Sequence, residues 1–151
     1  MRVVALIPAR LESTRLPEKA LKDVCGIPAI VHCYRRALLS KKVNEVFVCT
    51  DSEKIKQVVE SHGGKTIMTA QHINGSERIY EASRKIAHAD YLINIQGDEI
   101  LVNPDHIDLL IGEMASDVSV NYALGVTNFI QSDQKSVFKA VLDEQKNMIY
   151  C

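Results

Sequence analysis

Hydrophobic and polar positions alternate along the chain with two different periods. Short apolar runs, of the kind that form buried strands, are separated by stretches in which apolar residues recur three and four positions apart, the spacing of a helix with one buried face. The main predicted strands are residues 3–7, 45–50, 65–68, 91–95 and 119–126, with weaker candidates at 139–142 and 148–150. The predicted helices are residues 30–38, 55–62, 76–88 and 107–114.

Capping residues mark the ends of several of these helices. Either Asp51 or Ser52 is placed to cap the second helix, and the Gly63-Gly64 pair is placed to end it. Asn103, followed by proline and aspartate, is a typical helix start. The capping and helix-ending residues therefore predict the same helix boundaries as the spacing of the apolar residues.

The alternation of strands and helices predicts the α/β class, with a three-layer, doubly wound, mostly parallel sheet. A length of 151 residues favours a single domain, so we expect residues 1–151 to belong to one domain. The first strand is followed neither by the G-x-G-x-x-G of a dinucleotide site nor by the G-x-x-x-x-G-K-S/T of a P-loop. Bound phosphates would therefore be held by cationic side chains.

Composition narrows the function classes. The formal net charge of -1 argues against a general nucleic-acid binder. No stretch approaches the roughly 20 apolar residues of a membrane span, and the apolar start is shorter than a signal peptide requires, so we expect a cytoplasmic protein that binds no membrane. The four cysteines form no C-x-x-C pair, and we expect Cys33 and Cys49 to be small buried hydrophobes.

A cationic segment follows the first predicted strand. Arg10, Arg15 and Lys19 lie there within ten residues, together with Ser13. The loop that leaves the carboxyl end of a parallel strand is where open α/β sheets bind ligands, and guanidinium and ammonium groups suit a polyanion such as a triphosphate. The alternative is a solvated, charged surface loop.

The order of residues in this segment, I-P-A-R-x-x-S-T-R-L-P-x-K, resembles the signature of the CMP-sugar synthetases, especially the 3-deoxy-manno-octulosonate cytidylyltransferase (CMP-Kdo synthetase) family. Two later segments are also similar to that family. Residues 94–99 read N-I-Q-G-D-E, like its N-V-Q-G-D-E, and residues 74–78 read N-G-S-E-R, like its S-G-T-E-R. The resemblance covers essentially the whole chain and implies the nucleotide-diphospho-sugar transferase fold.

The resemblance also implies roles for individual residues. Arg10, Arg15 and Lys19 would surround the triphosphate of CTP, with Ser13 donating a hydrogen bond. Asp98 would be a ligand of Mg²⁺, the cofactor that the family implies. The catalytic residues would be Lys19, Arg15 and Asp98.

Other family positions would contact the nucleotide or the acceptor. Gln96 would contact the nucleotide or the sugar, and Ser76 and Arg78 would lie near the base. A plain helix cap with an exposed arginine is the alternative for the last two, and for Asp51 we favour a capping role. Glu18 departs from the glycine common in the family, which leaves its effect on the neighbouring lysine open.

The implied activity is that of a cytidylyltransferase, an enzyme that couples CTP to an acidic 2-keto sugar, with Kdo the leading acceptor, to give the CMP-sugar and pyrophosphate for lipopolysaccharide or capsule synthesis. A nucleotide-binding fragment without turnover, or an enzyme for another acidic sugar such as a nonulosonic acid, remains open. The family's second metal-binding aspartate, most sugar contacts and its homodimer interface are expected beyond Cys151. The resemblance therefore implies a truncated, nucleotide-binding portion with little turnover of its own.

Overall fold

Strands and helices alternate along the chain in the computed structural model, which describes residues 1–13, 16–117, 119–126, 140–145 and 147–150. The strands are β1 (Val3–Pro8), β2 (Asp23–Val24), β3 (Ile27–Pro28), β4 (Glu45–Thr50), β5 (Thr66–Met68), β6 (Tyr91–Asn94), β7 (Val141–Leu142) and β8 (Met148–Tyr150). The helices are α1 (Ala29–Ala37), α2 (Glu53–Ser61), α3 (Gly75–Ser83) and α4 (Pro104–Ser116), and one 3-10 turn covers Lys19–Leu21. Among the described residues, no helix has the length and apolar character needed to cross a membrane.

Among the described residues, the central sheet has four parallel strands in the order β5-β4-β1-β6. Val4 of β1 lies opposite Glu45 on one side and Leu92 on the other, which fixes the register of the three strands. Residues 3–7 of β1 are fully buried, because helices cover both faces of the sheet around it. The predicted parallel sheet is confirmed.

Alternate residues of β1 belong to two separate hydrophobic clusters. Val3, Ala5 and Ile7 pack with α1, α2 and α4 on one face of the sheet. Val4 and Leu6 pack with α3 on the other. Successive side chains of a strand point to opposite faces, so the continuous apolar run of β1 supplies both layers. This is the predicted three-layer, doubly wound arrangement.

The order of the strands contains one reversal. The chain builds outward from β1 to β4 and β5, and then returns to place β6 on the opposite side of β1. Crossovers between parallel strands are right-handed, so the return connection carries α3 to the opposite face of the sheet. Ligands of open α/β sheets bind outside the carboxyl ends of the strands at such a reversal, here between β1 and β6.

The helix ends follow the predicted caps with one exception. Ser52 Oγ accepts a hydrogen bond from the Ile55 amide at 3.3 Å and caps α2, so the capping role proposed for Asp51 is wrong. Asn103 caps α4 by accepting from the Asp105 amide at 3.0 Å. Gly63 ends the α2 turn with a φ of 78°, a conformation that glycine adopts without strain.

The third helix ends earlier than the predicted residue 88. It stops at Ser83, and the Lys85 and Ile86 amides then donate to carbonyls three residues back. This tighter turn keeps Ile86 packed against Ile79 and Ala82, so the apolar spacing persists although the α-helix does not.

The predicted strand at residues 119–126 is wrong. The described residues of this segment form no strand, and Tyr122, Leu124 and Val126 are exposed. An alternating apolar pattern forms a strand only where a neighbouring strand satisfies its backbone. Near the end of the chain, β7 and β8 pair antiparallel as a separate hairpin, while Lys139 of the predicted run 139–142 lies outside the described residues.

Two cysteines belong to the core, as predicted. Cys33 and Cys49 are fully buried, and this burial raises the pKa of each thiol to about 12. Both thiols are therefore protonated at neutral pH and act as small apolar side chains.

Candidate active site

Three loop segments meet at Pro8, the last residue of β1. A Cβ on Gly97 would lie 2.5 Å from the Pro8 carbonyl oxygen, and a Cβ on Gly75 would lie 3.3 Å from Pro8 Cγ. Glycine at these two positions therefore lets the loop after β6 and the start of α3 approach the end of β1 closely. The three segments that resemble family motifs are brought together at one edge of the sheet.

At this edge the structure pairs two of the predicted catalytic residues. Lys19 Nζ donates to Asp98 Oδ2, joining the segment after β1 to the loop after β6 across the strand reversal. Both side chains are about half exposed, at 47% each. Gln96 is exposed on the same loop as Asp98. A cation and a carboxylate thus lie where an anionic ligand and its counter-ion could replace their mutual contact.

The carboxylate arrangement bears on the expected metal. Among the residues that the structure describes, no group of three or more His, Cys, Asp or Glu side chains could hold a metal ion. Mg²⁺, however, is commonly bound by one or two carboxylates together with substrate phosphates and water. The exposed Asp98 carboxylate fits that kind of site, in which the phosphates of a ligand would supply most of the remaining oxygens.

A cleft of about 260 Å³ opens on the other side of β1. The loops after β1, β4 and β5 and the helix α3 form its walls. Its lining residues are Arg10, Leu11, Glu12, Asp51, Ser52, Gln71, His72 and Arg78. Guanidinium, carboxylate, amide and imidazole groups together offer both donors and acceptors, which suits a polar heterocycle or sugar more than a phosphate alone.

Arg78 is the most buried polar residue of this cleft. Its side chain projects from α3 and the residue is only 2% exposed. Nη1 donates to Thr69 Oγ1 at 2.7 Å and lies 3.2 Å from Asp51 Oδ1. The alternative of an exposed arginine is therefore wrong, and Asp51, whose role as a helix cap is taken by Ser52, is instead the counter-ion of a buried guanidinium.

The start of α3 has the predicted form of a turn leading into a helix. Asn74 Oδ1 accepts from the Glu77 amide at 2.9 Å, and Asn74 Nδ2 donates to Glu77 Oε1 at 3.0 Å. Ser76 is exposed in the first turn and is not among the described residues that line the cleft. The structure thus brings Arg78 to the cleft and leaves Ser76 outside it.

The loop after β5 is fixed to α3 by Glu81. This carboxylate accepts from Lys85 Nζ at 2.7 Å, from His72 Nε2 at 2.7 Å and from the Ala70 amide at 2.9 Å. These hydrogen bonds, that of Lys85 first, lower the pKa of Glu81 to about 2. The sequence reasoning missed His72 and Gln71 as cleft residues, although their place just after a strand was a usable signal.

The remaining residues of the first loop are placed differently. Arg10 is exposed and lines the cleft, and Ser13 is half-buried. Arg15, predicted to bind phosphate and to act in catalysis, lies outside the described residues.

Glu18, where the family commonly has glycine, adopts a left-handed conformation with a φ of 52°. Such a backbone favours glycine because it has no Cβ. The Glu18 carboxylate accepts from Lys54 Nζ at 2.7 Å and 2.9 Å. The Glu18 carboxylate therefore pairs with Lys54 of α2, whereas Lys19 pairs with Asp98.

Comparison with known proteins places this geometry in a family. A family model described as cytidylyltransferase matches residues 4–151. A 3-deoxy-manno-octulosonate cytidylyltransferase from Chlorobium limicola is 44% identical over 99% of this chain, and one from Escherichia coli is 37% identical over the same share. The chain spans 63% of the length of the first relative and 61% of the second.

Solved structures agree with these relatives. A structure of CMP:2-keto-3-deoxy-manno-octonic acid synthetase complexed with CTP matches 80% of this chain and 50% of its own, with 42% identity and a TM-score of 0.77. A cytidylyltransferase from Leptospira borgpetersenii, 24% identical with a TM-score of 0.67 over 78% of this chain and 50% of its own, has the same fold. The predicted fold class is confirmed, and the chain belongs to the cytidylyltransferase family.

Proposed function

We propose that this protein transfers the cytidylyl group of CTP to an acidic 2-keto sugar, Kdo or a close relative, and releases pyrophosphate, as a step in lipopolysaccharide or capsule synthesis. The observation that carries the proposal is the meeting of Lys19 and Asp98 at the strand reversal, beside a polar cleft that contains a buried arginine. Family membership and a CTP-bound structural relative support the choice of nucleotide.

The proposed reaction explains the cationic loop. A hydroxyl oxygen of the sugar attacks the α-phosphorus of CTP and loses its proton, while the bond from that phosphorus to the bridging oxygen breaks and pyrophosphate leaves. Negative charge grows on the departing group, so cations fixed in advance stabilise the transition state. Arg10, Arg15 and Lys19 would supply this charge, and the Ser13 hydroxyl would donate a hydrogen bond to a phosphate oxygen.

Mg²⁺ belongs to the proposal, with Asp98 as its ligand from this chain. When bound, the ion neutralises phosphate charge and polarises phosphoryl oxygens. In the free protein the Asp98 carboxylate is engaged by Lys19. A triphosphate would offer Lys19 another anion and so leave Asp98 available, which means that nucleotide and metal should assist each other's binding.

The two sides of β1 would then hold different parts of the substrates. Lys19 and Asp98 would bind phosphates and metal between β1 and β6, whereas Arg78 in the cleft would bind the base. Ser76 is proposed near the base on the strength of the family resemblance. Gln96, exposed beside Asp98, would contact the nucleotide or the acceptor sugar.

Calorimetric titration with CTP, UTP and ATP, each with and without Mg²⁺, tests the nucleotide assignment. We expect CTP to bind most tightly and Mg²⁺ to strengthen its binding. Equal affinity for the three nucleotides would contradict the cytidylyl assignment. Equal affinity for CTP with and without Mg²⁺ would contradict the role of Asp98.

Release of pyrophosphate tests the acceptor. The reaction is followed with CTP and Mg²⁺ in the presence of Kdo, of N-acetylneuraminate as a nonulosonic acid, or of no sugar. Release that depends on Kdo supports the proposal, and release that depends on N-acetylneuraminate would reassign the acceptor. CTP binding without release under any condition would favour a nucleotide-binding module.

A further inference from the structure

The buried guanidinium of Arg78 requires an explanation that the fold alone does not give. A cation removed from water is costly unless it is paired and hydrogen-bonded. In the part of the chain that the structure describes, both hydrogen bonds of this side chain are donated by Nη1, to Thr69 Oγ1 at 2.7 Å and to the Ala70 carbonyl at 3.5 Å, and Nη1 also lies 3.2 Å from Asp51 Oδ1. These partners hold one corner of the planar group.

The rest of the guanidinium retains donor capacity. Arginine carries five N–H donors, of which Nε and Nη2 supply three. Among the described residues, every buried side-chain nitrogen and oxygen atom has a hydrogen-bond partner. Nε and Nη2 donate no hydrogen bond there, so they are not fully buried, and Arg78 lines the cleft. Two neighbouring donors in a fixed plane suit two neighbouring acceptor atoms on a ligand.

Residues at the ends of two neighbouring strands fix the plane of the Arg78 guanidinium. Asp51 follows directly on β4, and Thr69 follows directly on β5. The Thr69 amide donates to the Thr50 carbonyl at 2.9 Å, which ties the two strand ends together. The partners of Arg78 therefore sit on the sheet, whereas Arg78 itself sits on α3, so the contacts also fix the helix relative to the sheet.

We propose that Asp51 and Thr69 are positioning residues, which hold the Arg78 guanidinium so that its free edge meets the base of the bound nucleotide. The inference rests on the proposed function for the identity of that ligand. Cytosine presents two adjacent acceptors, the ring N3 and the O2 carbonyl, whereas uracil carries a donor at N3. A correctly oriented guanidinium therefore favours cytosine, and a misoriented one loses both affinity and discrimination.

A double-mutant cycle on nucleotide binding tests this role. Dissociation constants for CTP and UTP, with Mg²⁺ present, are measured for the unaltered protein, Asp51→Asn, Arg78→Gln and the double variant. We expect each single change to weaken CTP binding about tenfold or more and to reduce the preference for CTP, and the double variant to bind CTP no more weakly than Arg78→Gln alone. Effects that multiply would show that Asp51 acts independently of Arg78 and would overturn the proposal.

Two further variants separate positioning from folding. Thr69→Val removes the other partner of Arg78 without removing a charge, and it should weaken CTP binding less than Asp51→Asn does. Combined with Arg78→Gln, it should weaken CTP binding no further than Arg78→Gln alone. Glu12→Gln is the matched control, since it changes a carboxylate of the same cleft that makes no contact with Arg78 among the described residues. Its effect on CTP binding, if any, should multiply with that of Arg78→Gln.

The outcomes distinguish the two proposals. If the unaltered protein binds CTP in preference to UTP and ATP, but Asp51→Asn and Thr69→Val lower only the melting temperature, the positioning role fails while the proposed function stands. If the unaltered protein binds another nucleotide better, the proposed function fails, and the same cycle run with that nucleotide decides the positioning role. Failure to bind any nucleotide would overturn both.

Discussion

Lys19 and Asp98 show why a polar contact in a binding site need not stabilise the fold. The two charges neutralise each other in the free protein, but both side chains are about half in water. Exposed ion pairs contribute roughly 0–1 kcal/mol, because water screens the attraction and the side chains lose freedom. Lys19 and Asp98 matter instead for ligand binding, because they lie on the two loops that flank the strand reversal.

Replacing Lys19 should therefore affect binding more than stability. We expect Lys19→Ala to weaken CTP binding by about 1.5–3 kcal/mol, the scale of a hydrogen bond to a charged group, and to leave the melting temperature of the free protein nearly unchanged. Calorimetry and thermal unfolding measure the two quantities. Lys22→Ala, which removes the same charge from an exposed position three residues away, should leave CTP binding nearly unchanged. A large loss of free-protein stability with normal CTP affinity would make Lys19 a structural residue.

At the scale of elements, the site depends on how closely the segments around β1 can approach one another. Gly97 lies against the Pro8 carbonyl, and the Gly97 carbonyl in turn accepts a weak hydrogen bond from Cys33 Sγ at 3.4 Å. The loop after β6 is thus held between β1 and α1, and Asp98 is the next residue. Because Gly97 has no side chain, the loop can approach β1 closely, and this approach places Asp98, the proposed metal ligand.

Adding a methyl group at Gly97 should disturb both the fold and the site. A Cβ 2.5 Å from a backbone oxygen forces the loop to shift, and overpacking of this kind costs typically about 1–3 kcal/mol. Gly97→Ala should therefore lower stability by that amount and also weaken Mg²⁺-dependent CTP binding, because Asp98 moves with the loop. Denaturant unfolding and calorimetry measure the two effects.

Gly125→Ala is the control for that change, because a Cβ there meets no atom of the described residues within 4 Å. Its stability should equal or slightly exceed that of the unaltered protein. Equal effects of the two substitutions would show that the close approach of Gly97 to Pro8 is unimportant.

At the scale of the whole molecule, carboxylates tie the outer segments to the core. Glu45 accepts from Arg2 and Lys65, Glu81 from Lys85 and His72, and Asp108 from Ser40 and two backbone amides. These hydrogen bonds lower the pKa of each carboxyl below its ordinary value, to about 2 for Glu81. The unfolded chain therefore binds more protons than the folded chain in mildly acidic solution.

Stability should accordingly fall with acidity. The contribution of a carboxylate with a lowered pKa is fully present above its unfolded value, about 4 to 4.5, and is lost as the pH falls toward its folded value. We expect the denaturant midpoint to be nearly constant between about pH 5 and pH 7 and to decline below about pH 4.5, with Glu81 contributing down to a pH of about 2. A midpoint that rises on acidification would contradict this account.

Glu81→Gln isolates one part of that decline. It should lower stability near neutral pH, and the deficit relative to the unaltered protein should shrink as the pH falls below about 4.5, because the unfolded chain then binds a proton at Glu81 that the folded chain binds only near pH 2. Unfolding curves at several pH values measure the deficit. Glu113→Gln, at an exposed position of α4, should give a curve parallel to that of the unaltered protein.

Local sequence accounted for part of the site. The cations after β1 and the Gln96 to Glu99 segment after β6 could be predicted because parallel strands end at one edge of a sheet. Asp51 was misassigned because its position before a helix also suits a cap, and Ser52, one residue later, takes that role instead. The position of His72 after a strand is a local signal for a cleft residue, but its contact with Glu81 joins two different segments and cannot be predicted locally.

The sequence by itself determined the layered fold, because the continuous apolar run of β1 and the one-sided stripes of its helices can be buried only in a sheet covered on both faces. It also determined the family, through motifs whose residues lie close together along the chain. Only the tertiary structure decided that Arg78 is buried against Asp51, that Lys19 meets Asp98, and that residues 119–126 form no strand. Each of these depends on a partner distant along the chain, and local periodicity carries no information about such partners.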